Sequence, residues 1–93
     1  MNLSELRGEI DRVDAALVPL FLRRMELSRQ IAAVKAAQGL PIRVPAREAE
    51  VLDRVSAAAP EELKAAVRAL YAEIMRLSRD CQAALKPEPD KTE

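Results

Sequence analysis

Apolar residues recur along the first third of the chain at Leu6, Ile10, Val13, Leu17, Leu20, Leu27, Ile31 and Val34. The steps alternate between four and three, a heptad seam with one position missing, and predict one amphipathic helix. Ser4 is a candidate N-cap, and Gln38-Gly39 followed by Pro41 is a stop signal with glycine as the left-handed cap. The segment from about 4 to 38 then measures roughly 50 Å at 1.5 Å per residue. A compact chain of this size has a radius of gyration near ~12 Å. The helix therefore overhangs its own domain, and its seam calls for a partner chain. Pro19 lies mid-segment and is expected to kink it, but the heptad phase continues from Leu17 to Leu27, which favours a single kinked helix over two.

Pro41-Ile42-Arg43-Val44-Pro45 reads as a rigid connector, and Pro45 suits the first turn of a second helix to about Ala58. Val51, Leu52 and Val55 would form its buried face. Pro60-Glu61-Glu62 opens a third helix, with acids at the positive end of the helix dipole. Its apolar seam is Leu63, Val67, Leu70, Ile74, Leu77 and Cys81, and beside it runs a stripe of Tyr71, Met75, Ser78 and Gln82. Taken alone, that stripe reads as solvated, and Cys81 in the seam reads as a small buried thiol. Residues 86–93, rich in proline and charge, read as a disordered tail behind a helical domain of residues 1–85. The expected fold class is all-α, with long, short and medium helices forming an intertwined homodimer.

Composition narrows the chemistry. There is no histidine, which removes imidazole acid–base catalysis and the usual zinc sites. One cysteine precludes an intramolecular disulfide and fits a reducing compartment. Fifteen basic residues balance fifteen acidic ones, with one Tyr and one Phe as the aromatics, so nucleic acid is not an expected partner. No apolar run suits a membrane span or a signal peptide, and the expected location is the cytoplasm.

The missing seam position is Arg24. An unpaired buried charge is costly, so something anionic should meet it. Lys35 follows eleven residues later, within about 20° around the axis and about 16 Å along it. Ser78 and Gln82, four apart, share a face of the third helix. Arg47 and Glu48 sit near the start of the second helix, beside the connector. Arg7 lies about 100° around the axis from Arg24, so the two serve one site only across a dimer. Singly, each of these charges is equally well explained by surface or intersubunit ion pairing. Jointly, they describe a cationic, donor-rich cavity suited to a small dianion, since arginine grips carboxylates through paired hydrogen bonds. Positioning and electrostatic stabilisation are the chemistry such a cavity offers.

Over residues 3 to 85 the chain resembles the all-helical chorismate mutases. The stretches that carry the likeness are Leu6-Arg7-Gly8-Glu9-Ile10-Asp11, Arg23-Arg24-Met25-Glu26-Leu27, Ile31 through Lys35, Pro41-Ile42-Arg43, Arg47-Glu48 and the Ser78/Gln82 pair. The resemblance implies a pericyclic rearrangement of chorismate to prephenate without a cofactor. It implies that Arg24, Lys35 and the partner subunit's Arg7 hold two carboxylates, with help from Ser78. Lys35 and Gln82 would donate to the ether oxygen, Glu48 would accept from the C4 hydroxyl, and Arg47 would line the same region. The chain departs from some members at Val44, where they carry an aspartate near the C4 substituent, leaving Glu48 alone there. An aminodeoxychorismate mutase, an isochorismate-pyruvate lyase and a non-catalytic helical dimerisation or regulatory module are the competing readings. Glu48 and Ser78 fit the lyase less well.

Overall fold

A computed structural model describes residues 1–84, and among them the regular structure is entirely helical. Helix α1 spans Leu3–Gln38, α2 spans Pro45–Ala57, and a 3-10 turn at Glu61–Leu63 leads into α3, Lys64–Ala84. The expected order of long, short and medium helices is the one found. The segment 86–93, read from sequence as a tail, lies outside the described residues.

The N-cap of α1 is Asn2, two residues before the expected Ser4. Its Oδ1 accepts from the Glu5 amide at 2.8 Å, while Glu5 Oε1 accepts from the Asn2 amide at 3.1 Å. This reciprocal capping box satisfies two otherwise orphaned donors, which Ser4 inside the first turn cannot do. At the other end Gly39 adopts φ +68°, and Leu40 N–H donates to the Lys35 carbonyl at 2.8 Å. A β-carbon is disfavoured in that left-handed region, so glycine there ends the helix. The helix continues unbroken through Pro19, although proline offers no N–H to the Ala15 carbonyl.

Pro45 occupies the first turn of α2, where its missing N–H costs nothing. The far end of α2 is closed from α3: Lys64 Nζ donates to the carbonyls of Ser56 and Ala59 at 3.2 and 3.0 Å. Arg68 reaches back to Asp53 Oδ1 and Ser56 Oγ, both at 3.0 Å. These contacts fold α2 and α3 into a hairpin. α1 packs on α3 through its C-terminal half and extends well past it, giving extents of 61 × 32 × 14 Å.

The core of the single chain is small. Among the described residues Val51 (4% exposed) and Met75 (7%) are the buried apolar ones, accompanied by Ser56, Ser78 and Gln82. Two readings made of α3 on its periodicity alone, a solvated stripe and a buried Cys81, are therefore reversed, while Ser78 and Gln82 line a cleft as the joint pattern called for. The stripe of Tyr71, Met75, Ser78 and Gln82 faces inward, whereas Leu63, Leu70 and Cys81 of the apolar seam are exposed. The reason is geometric: α3 packs on α1 and α2 with the stripe, so among the described residues the seam is only partly covered, with Val67, Ile74 and Leu77 half-buried. The eight seam residues of α1, Leu6 through Val34, are likewise 40–67% exposed.

Candidate active site

The three helices converge on a cleft of about 300 Å³ between the C-terminal half of α1, the start of α2 and the end of α3. α1 contributes Arg24, Ser28, Ile31 and Lys35. Their spacing of four, three and four places them on one helical face. α2 and its connector contribute Ile42, Val44, Arg47, Glu48 and Val51, and α3 contributes Met75, Ser78, Arg79 and Gln82.

Arg24 is half-buried, its guanidinium 3.5 Å from Ser78 Oγ and 5.7 Å from the centroid of the Tyr71 ring. The ring face is electron-rich and suits the cation. Ser78 Oγ also lies 3.4 Å from Met25 Sδ. Among the described residues no carboxylate pairs with Arg24 or Lys35. Lys35 Nζ donates to the Ile42 carbonyl at 2.7 Å. One of its three protons is thereby used, and the ammonium is aimed by the connector. Gln82, 9% exposed, donates from Nε2 to the Ser28 carbonyl at 3.2 Å, which fixes the amide and leaves its second proton available. Its Oε1 is buried without a partner among the described residues.

Glu48 is the carboxylate of the cleft. Arg79 Nη1 meets its Oε2 at 2.6 Å, and Arg43 Nε meets its Oε1 at 3.3 Å. Arg47 pairs with Glu50, outside the lining. The lining thus holds four cationic side chains against one carboxylate, an arrangement that attracts a small anion. The exposed face of α3, outside the cleft, carries a carboxyl with a displaced pKa. There the hydrogen bond from Arg76 holds the Glu73 carboxyl below its ordinary value, with the guanidinium's charge adding to it.

Of the residues expected from sequence, Arg24, Lys35, Arg47, Glu48, Ser78 and Gln82 meet in this cleft. Arg7 does not: it is exposed near the other end of α1, about 25 Å along the axis from Arg24. Sequence reasoning missed Arg79 and Ser28. Ser28 was discoverable, since it follows Arg24 by one turn on the face that carries Lys35. Arg79 lies about 100° from Ser78 but only about 60° from Gln82 and about 40° from Met75, at the edge of the stripe, so periodicity placed it within reach as well.

The chain is 50% identical to the T-protein of Enterobacter agglomerans over 51 residues, which cover 55% of this chain and 14% of that protein. It is 35% identical to a chorismate mutase of Methanocaldococcus jannaschii over 54 residues, covering 58% of this chain and 54% of that one. The chain thus matches a small part of the first relative and about half the length of the second. The solved structure of chorismate mutase (form II) from Thermus thermophilus superposes with a TM-score of 0.85 at 30% identity, covering 91% of this chain and 98% of that one. A family profile described as chorismate mutase type II matches residues 6–83, a span that takes in nearly all of the three helices and every residue of the cleft. On that match, the chain belongs to the chorismate mutase type II family.

Proposed function

We propose that this chain is a cytoplasmic chorismate mutase that works as a homodimer, rearranging chorismate to prephenate. The observation that carries the reading is the convergence of Arg24, Lys35, Ser78 and Gln82 on one cleft, with neither cation paired to a carboxylate of the described residues. In the rearrangement the ether C–O bond breaks as a C–C bond forms, and negative charge gathers on the ether oxygen. A side chain that donates to that oxygen stabilises the transition state more than the ground state. Lys35 and Gln82 each retain protons for that role after satisfying their backbone partners. Arg24, steadied by Tyr71 and Ser78, grips one substrate carboxylate. Glu48 accepts from the C4 hydroxyl. Arg47 lines the same end.

The dimer rests on the uncovered seams. Exposed apolar residues in this number mark an interaction face, and here they run along α1 and include Leu63 and Leu70 of α3. A second copy packed along α1 covers it and brings the partner subunit's Arg7 to the second carboxylate. The test is the loss of chorismate absorbance with purified protein, prephenate being identified by its acid conversion to phenylpyruvate, alongside sedimentation equilibrium. Turnover by a dimer supports the reading. An intact helical dimer without turnover favours the structural module, and a stable, active monomer removes Arg7 from the site.

A further inference from the structure

Among the described residues Glu48 is the one carboxylate of the cleft, and both of its oxygens are already held by guanidinium groups. The two partners are unequal. Arg43 is 61% exposed and stands 3.3 Å away, whereas Arg79 is 28% exposed and stands at 2.6 Å, within the lining itself. Arg79 also has no part in the grip on the carboxylates or the ether oxygen described above. Beside it Val44 offers no second acid.

We propose that Arg79 is a specificity-determining residue that reserves the Glu48 end of the cleft for an uncharged hydrogen-bond donor, a hydroxyl, and turns away an ammonium. The inference rests on the reading of this cleft as a mutase site with Glu48 at C4. An ionised carboxylate has about four acceptor positions, of which Arg43 and Arg79 take two. A hydroxyl donates to a remaining lone pair and leaves both arginines in place. An ammonium finds the Glu48 charge already neutralised, with a guanidinium at close range. It binds only by displacing Arg79 or by bearing the repulsion of two like charges in a partly desolvated site. Arg79 thus sets the sign of the local field, and Glu48 supplies the acceptor.

The test compares kcat/KM for chorismate and for 4-amino-4-deoxychorismate, which differ in the C4 substituent, in the wild-type chain and in Arg79→Leu, Arg79→Gln and Arg79→Lys. The wild-type chain is expected to prefer the hydroxyl compound. Arg79→Leu and Arg79→Gln are expected to lower that preference tenfold or more, through a lower KM for the amine. Arg79→Lys keeps the charge and is expected to hold the preference within about threefold of wild type. The glutamine variant retains a polar donor for Glu48 and serves where the leucine variant loses its fold. A purely structural arginine lowers both substrates alike and leaves their ratio fixed. Turnover with an unchanged ratio in the neutral variants overturns the role of Arg79 alone. Absence of turnover of either compound by the wild-type chain overturns the mutase reading and the specificity with it.

Discussion

Replacing Gln82 by glutamate tests whether the buried amide is a proton donor at the reacting oxygen. Gln82 is 9% exposed and its Nε2 faces the Ser28 carbonyl at 3.2 Å. A carboxyl of the same shape satisfies that carbonyl only when protonated. Ionised, it sets a charge against a carbonyl oxygen in a site with little water. Both effects raise its pKa in the folded state above the ordinary glutamate value of about 4.3. Since the folded pKa lies above the unfolded one, the variant keeps its full stability below about pH 4 and loses it as pH rises through the raised folded value. Each tenfold rise in the carboxyl's proton affinity on folding makes a difference of about 1.4 kcal/mol per site between the two ends of that range. Urea denaturation followed by circular dichroism, for both proteins at one protein concentration, isolates this term as the pH dependence of the difference between variant and wild type. Activity follows the same proton, because only the protonated carboxyl donates to the ether oxygen. The kcat/KM of Gln82→Glu therefore falls with rising pH across the same interval. A pH-independent stability difference refutes the buried contact with Ser28. A flat activity profile in a variant whose stability does titrate refutes the donor role.

Arg24→Ala and Lys35→Ala should each lower kcat/KM by about 100-fold or more, the loss found when one preorganised donor is removed, while sedimentation shows the dimer retained; near-normal turnover in either contradicts the assignment. Leu17→Lys places a charge on the uncovered seam, about 10 Å along α1 from Arg24, and should shift the oligomer towards monomer in sedimentation equilibrium. An unchanged association constant places the interface elsewhere. Asn2→Ala removes one half of the capping box and should cost about 1 kcal/mol of stability, read as a lower urea midpoint at unchanged m-value.

The sequence by itself determined the helices and their order, because amphipathic period, proline position and the Gly39 stop are local signals that neighbouring residues rarely override. It also marked Arg24 as a charge out of place in an apolar seam, and the resemblance supplied the partners that the cleft then gathered. What periodicity alone could not determine is which face of α3 turns inward. Both its stripes have helical period, and hydrophobicity alone favours the seam ending in Cys81. Packing decided for Tyr71, Met75, Ser78 and Gln82, because the cleft with α1 and α2 offers polar partners to that stripe, Arg24 to Ser78 and the Ser28 carbonyl to Gln82. The grip of Arg79 on Glu48 likewise joins residues 31 apart in sequence, across two helices. No period along a single helix encodes such a contact: it arises only when the α2–α3 hairpin closes and sets one side chain against the other.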